Sequence, residues 1–176
     1  VRSPHPHARI NGIDKTAALA MPGVLAVYTG ADCIADGLKP IPHSPVPSTK
    51  YDVKLTGRGG TPVFIGAHDV LPPDKARHVG EAVAMVVAET RAQAYAAAEA
   101  VEVDYEPLPS VADSRESLSA DAPKLYDEMQ DNVLVDAKFG DAENTEMAFA
   151  RAAHVVSLQT HIGRVTGGQL EPRASL

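Results

Sequence analysis

The strongest constraint on the fold lies between Gly80 and Pro109. Ala82 to Ala88 are all small or apolar, which predicts a short strand buried on both faces. The valines among them favour a strand over a buried helical turn. Thr90 offers a hydroxyl to the free N–H groups of a helix start, and Gln93 sits three residues later, the spacing of a capping box. Arg91 to Ala100 is rich in alanine, which loses almost no side-chain entropy in a helix and lets it lie close to a sheet. Val101, Val103 and Tyr105 then alternate with Glu102, Asp104 and Glu106, the pattern of a half-buried strand. Pro107 and Pro109 cannot donate to a ladder and end it. The expectation is a strand-helix-strand unit.

A weaker echo stands at the start of the chain. Arg9 to Asp14 suits a short strand, Asp14 caps a brief helix over Lys15 to Ala20, and Pro22-Gly23 stops it. Val24 to Tyr28 is a second apolar strand, and Asp32 caps one helical turn that ends at Gly37. Lys39 to Pro62 is dense in Pro, Gly, Ser and Thr, the composition of a long surface loop or polyproline-type arm. Periodicity fades from Ser110 to Asn132, where Ala120-Asp121-Ala122-Pro123 has a linker's composition. Val133 to Phe139 alternates like a strand, Thr145 to Ala153 suits a helix, and His154 to Thr160 again suits a strand.

Bulk properties exclude several function classes. With 176 residues the chain has room for one domain and a remainder. A net charge of −7 without a basic stripe argues against a nucleic-acid partner, as does the absence of Trp. No apolar run is long enough for a membrane helix, so no membrane partner is expected. One cysteine, Cys33, rules out internal disulfides and a thiolate metal cage. Val1-Arg2-Ser3-Pro4 carries neither an initiator Met nor a signal peptide, and an internal piece of a longer polypeptide is expected.

No catalytic constellation can be assembled from residue types and spacing. His5-Pro6-His7 brings two imidazoles together but lacks a third ligand, so ordinary loop histidines are the better reading. His78, His154 and His161 are read as structural. Gly57-Arg58-Gly59-Gly60-Thr61 lacks the Gly-Lys-Ser/Thr ending of a phosphate loop and is read as a turn. Glu81 stands at the mouth of the apolar strand, where it could be desolvated, pair with Arg77 or accept backbone N–H bonds; a structural role is favoured. Cys33 has no adjacent base and is read as a small packed side chain. Glu171-Pro172-Arg173 is the most suggestive polar cluster, an ion pair that could order the chain.

Several blocks together resemble one family. Arg2-Ser3-Pro4-His5-Pro6-His7-Ala8-Arg9-Ile10 is similar to the R-S-P-H-A-H-A-R-I stretch of the molybdenum hydroxylase large subunit, the chain shared by xanthine dehydrogenase, aldehyde oxidase and carbon monoxide dehydrogenase. Pro22-Gly23-Val24 with Val27 to Asp32, Val79 to Ala84, and Val103 to Pro109 resemble its following blocks in order. Gly140-Asp141, Ala152 to Val156 and Leu170 to Ala174 resemble the opening of its next domain, although Gly168-Gln169 departs from the usual wording there.

The resemblance implies an α/β fold of the α+β kind. Residues 1–118 would form an α/β hammerhead domain, 119–131 a linker, and 132–176 the truncated beginning of a molybdopterin-binding domain. It implies a fragment of a molybdenum-dependent oxidoreductase that hydroxylates an aldehyde or N-heterocycle, or oxidises carbon monoxide, with water-derived oxygen. The family's catalytic and pterin-holding segments follow the Glu-Pro-Arg block, so no catalytic, cofactor-binding or metal residue is assigned here. The piece would be scaffold and interface, inactive alone. The parent would carry molybdenum on molybdopterin or its cytosine dinucleotide, with 2Fe-2S clusters and FAD on partner domains or subunits. Its partners would be the rest of the large subunit, the iron-sulphur and flavin subunits and further copies of the complex, in the cytoplasm. The alternative is an independent interaction module that docks a partner through its Pro-rich arm.

Overall fold

A computed structural model describes residues 1–44, 46–47 and 49–163, and it divides into two compact units, Val1–Ala137 and Lys138–Leu176. The first unit holds β1 (Ala8–Asp14), α1 (Thr16–Leu19), β2 (Val24–Thr29), α2 (Gly30–Ala35), β3 (Lys75–Ala76), β4 (Ala84–Ala88), α3 (Arg91–Glu99) and β5 (Glu102–Pro107). Its two strand-helix-strand units do not pair within themselves. The outer strands pair with each other, β1 antiparallel to β5 with Ile10 opposite Tyr105, in a sheet of order β3-β1-β5. The inner strands likewise pair, β2 antiparallel to β4 with Val27 opposite Val86.

This nesting brings the two helices together over one core. Ala18 of α1 and Ala97 of α3 are fully buried with Val27, Ala84 and Val101, and alanine at both positions keeps the helix backbones close to the strands. A second cluster of Ile10, Ala76 and Val83 fills the space behind β1. Burying such small apolar faces supplies the main driving force, at about 25 cal/mol per Å² of apolar surface.

Local chemistry fixes the element ends. Asp14 accepts the Thr16 N–H at 2.8 Å from the residue ahead of the helix-capping position. The expectation that Asp32 caps the next helix is corrected: Thr29 holds that place, and Asp32 is the reciprocal member of its capping box. Asp32 accepts both the N–H and hydroxyl of Thr29 at 2.7 Å, and Lys15 donates to both its oxygens and to the Val27 carbonyl. The Lys15 and Thr29 hydrogen bonds lower the Asp32 carboxyl to about 2. Thr90 accepts the Gln93 N–H at 3.3 Å, but its hydroxyl donates to Gln93 Oε1, so only half of that predicted box forms.

Other expectations change as well. The Ala84–Ala88 strand is not buried on both faces; Met85 is 51% exposed, because only β2 and one helical layer cover it. Neither Val133–Phe139 nor His154–Thr160 is a strand: a strand needs a ladder, and Asp136 donates to the Thr56 carbonyl at 2.9 Å without a ladder forming among the described residues. Among its described residues the second unit contains one helix, α4 (Ala142–Arg151), capped by Asp141 through the Asn144 N–H. Glu171-Pro172-Arg173 lies outside the described residues. Residues 119–131 are fastened inside the first unit: Asn132 donates to Ser117 and Pro123, Arg58 pairs with Asp131, and Tyr126 packs on Phe64.

One glycine is a packing requirement. A Cβ on Gly30 would lie 2.6 Å from the Pro72 carbonyl and Pro73 Cα, backbone atoms that cannot move aside, whereas one on Gly12 meets nothing within 4 Å. Gly30→Ala is expected to lower stability by roughly 1–3 kcal/mol, while Gly12→Ala stays close to neutral. Equal urea midpoints for the two variants would contradict this packing.

Candidate functional site

Two features of the first unit carry chemistry or recognition. One is a polar cluster beside β1 and β3. His7 is buried, and its Nδ1 lies 3.0 Å from the Pro109 carbonyl. His5 does different work, meeting the Tyr105 ring edge-on at 5.0 Å. The two imidazoles of His5-Pro6-His7 are thus split between separate structural tasks. His7 Nε2, Arg77 Nε and Tyr105 Oη are buried with no hydrogen-bond partner among the described residues, and burial pushes the Tyr105 phenol up.

Lys75 is the unexpected member of this cluster. Its side chain is only 10% exposed, and its ammonium reaches Asp127 Oδ2 at 2.9 Å, while Asp127 stays 81% exposed. The Lys75 hydrogen bond and charge hold the Asp127 carboxyl below its ordinary value. Glu81 accepts the Arg77 N–H and stands 3.6 Å from His78 Nδ1, which closes the turn ahead of β4. The Arg77 guanidinium lies over the Tyr126 ring at 4.9 Å.

The other feature is an open groove of about 750 Å³ against β4. Arg91, Ala94, Tyr95 and Ala98 form one wall, a single face of α3; Tyr28 and Met85 bring exposed apolar surface from the β2–β4 sheet. Cys33, a free thiol, is half-buried and lines the groove together with Leu38 and Leu71. Val1 and Arg2 enter at one end.

Neither feature fits a metal or a pterin. Among the described residues no group of three or more His, Cys, Asp or Glu stands close enough to hold a metal ion. The groove offers three charged side chains, Arg2, Asp36 and Arg91, in a mostly apolar lining, whereas a pterin needs converging donors and acceptors around its ring nitrogens and phosphate. Gly57 to Thr61 forms a single turn, with Arg58 paired to Asp131 rather than cradling an anion. His154 and His161 are exposed. Among the described residues no helix is long and apolar enough to cross a membrane.

The sequence reasoning missed Lys75–Asp127 and the groove. No local pattern marked the first, since Lys75 stands between Asp74 and Ala76 in a charged stretch and its partner lies 52 residues away. The i, i+3, i+4, i+7 spacing of Arg91, Ala94, Tyr95 and Ala98 was the signal for the second.

Comparison with known proteins agrees with this architecture. Residues 1–109 match the family model described as the a/b hammerhead domain of aldehyde oxidase and xanthine dehydrogenase. The chain belongs to this family. It is 39% identical over 180 aligned residues to the nicotine 6-hydroxylase large subunit of Paenarthrobacter nicotinovorans, covering 100% of this chain and 20% of that one. The carbon monoxide dehydrogenase large chain of Afipia carboxidovorans is 37% identical over 86% of this chain and 18% of its own length. In three dimensions the chain is similar to Cu,Mo-CO dehydrogenase, at a TM-score of 0.64 and 34% identity over 88% of this chain and 18% of that one. Quinoline 2-oxidoreductase from Pseudomonas putida 86 gives 0.60 and 35%, over 76% of this chain and 15% of that one. The chain therefore spans about a fifth of the length of the curated relatives it matches.

The Lys75–Asp127 pair, buried on one side only, makes an asymmetric prediction. Asp127→Ala leaves the Lys75 ammonium desolvated without a partner, whereas Lys75→Met removes the buried charge and leaves Asp127 in water. The urea midpoint is expected to fall further for Asp127→Ala than for Lys75→Met. The reverse order would contradict a desolvated Lys75.

Proposed function

We propose that this chain is the hammerhead portion and the start of the following domain of a molybdenum-dependent oxidoreductase large subunit, acting as scaffold and interface. The observation that carries this reading is the family match through residues 1–109 together with 39% and 37% identity to two oxidoreductase subunits. The parent protein would hydroxylate an N-heterocycle or aldehyde, or oxidise carbon monoxide. Relatives named as nicotine 6-hydroxylase, quinoline 2-oxidoreductase and aldehyde oxidoreductase stand behind the first two, and the carbon monoxide dehydrogenases behind the third.

In that reading a molybdenum–pterin group, with iron-sulphur and flavin partners, supplies the redox chemistry from residues outside 1–176. The polar cluster and groove described above do not fit the group, and no catalytic step is assigned to this chain's residues. Residues 119–131 would be the connection between the two domains, and the complex would work in the cytoplasm. The relatives matched across the Pro-rich arm are enzyme subunits, which does not favour an independent docking module.

Elemental analysis separates the possibilities. Molybdenum is expected at stoichiometric level in the full-length protein and at background in the isolated 1–176 chain. Stoichiometric molybdenum in the isolated chain, or none in the full-length protein, would overturn the assignment.

A further inference from the structure

Asn11-Gly12 stands at the irregular step of the β1–β5 ladder. Ile10 lies opposite Tyr105 and Gly12 opposite Asp104, so the register shifts between them and Asn11 has no partner of its own on β5. On the other edge of β1, pairing with β3 covers only Ala8 and Arg9, and the Ile10 N–H closes it by reaching the Asp74 carbonyl at 2.8 Å. Asn11 and Gly12 are both exposed. A residue left out of the regular alternation in this way has a backbone freer to turn than its laddered neighbours.

The fold does not demand glycine at position 12. Gly12 is not among the glycines with positive φ, and a Cβ built on it meets nothing within 4 Å. Its effect is chemical. With no Cβ on the following residue, nothing shields the Gly12 peptide nitrogen from the side-chain amide carbon of Asn11.

The two other asparagines of the chain provide the comparison. Asn132 accepts the Leu125 N–H at 3.2 Å and donates to the Ser117 and Pro123 carbonyls. Asn144 donates to Asp141 Oδ2. They precede Val133 and Thr145, whose branched Cβ atoms crowd the peptide nitrogen. Asn11 combines a glycine neighbour, an exposed position and, among the described residues, a side-chain amide that no group tethers.

We propose that Asn11 is a site of spontaneous deamidation, converting to aspartate and isoaspartate through a cyclic imide. The Gly12 nitrogen attacks Asn11 Cγ and forms a C–N bond. The Cγ–Nδ2 bond breaks, and ammonia leaves with the proton that the Gly12 nitrogen gives up. Water then opens the ring at either carbonyl. Opening at Cγ gives aspartate, and opening at the backbone carbonyl gives isoaspartate, with the chain running through Cγ. A water is consumed and an ammonia released, with no oxidant or reductant. Either product places a carboxylate beside the Gly12–Asp104 pair, where Asp104 already carries negative charge. Isoaspartate also lengthens β1 by a backbone carbon, at the step where the ladder already shifts.

Incubation of the full-length protein in its native assembly at neutral pH, followed by peptide mapping with mass spectrometry, tests this. Position 11 is expected to lose its amide about tenfold or more faster than Asn132, which must first break its hydrogen bonds, and than Asn144. Gly12→Ala is expected to slow the loss at position 11 by about tenfold or more, with the circular dichroism of the protein and the rates at Asn132 and Asn144 unchanged. Isoaspartate, detected by enzymatic methylation of the same peptides, is expected at position 11 beside aspartate. Loss at position 11 no faster than at the other two asparagines, loss that Gly12→Ala leaves unchanged, or loss confined to the urea-unfolded chain would each overturn the proposal.

Discussion

The β1–β5 ladder is the interaction on which the rest of the first unit depends. It joins Ala8 to Pro107 and Asp14 to Glu102, so it closes nearly the whole matched region on itself. Closing a loop of that length has an entropic cost that grows only slowly with length, so the burial behind the ladder can offset it. With those outer strands locked, the inner pair β2–β4 and the helices α1 and α3 are carried into one place. Ala18, Val27, Ala84, Ala97 and Val101 can then share a core that neither strand-helix-strand unit could build alone. Removing the ladder would leave β5 without a strand partner and β1 paired only with the two-residue β3.

Sequence pattern carried the element types well and the pairing poorly. Alternation at Val101, Val103 and Tyr105, the Thr90 cap and the alanine-rich helix all describe local physics, and each appears where expected. Which strand lies beside which is a long-range property: Ile10 finds Tyr105, and Lys75 finds Asp127, across separations that no local period encodes. Where the pattern misled, the cause was the same. Val133–Phe139 alternates and His154–Thr160 suits a strand, but neither joins a ladder among the described residues, and Ala84–Ala88 has the composition of a doubly covered strand with one side open. The blocks that carry the family resemblance fall on pieces that meet: Arg2–Ile10 pairs with Val103–Pro109 through β1 and β5, and Arg2 bridges Ala82 within Val79–Ala84.

The polar cluster holds Lys75 against Asp127 and Glu81 against the Arg77 backbone, and among the described residues no three His, Cys, Asp or Glu side chains converge. The groove along β4, by contrast, presents backbone and apolar surface without a covering layer. The proposed scaffold role within a larger oxidoreductase would account for both, with the chemistry elsewhere and a recognition surface here.

The nested pairing is best tested by backbone cross-strand nuclear Overhauser effects on the isotope-labelled first unit. The account predicts contacts linking Ile10 with Tyr105 and Tyr28 with Met85, and none between the backbones of β4 and β5. Backbone contacts joining Ala84–Ala88 directly to Glu102–Pro107 would mean that each strand-helix-strand unit pairs within itself, and would contradict the account.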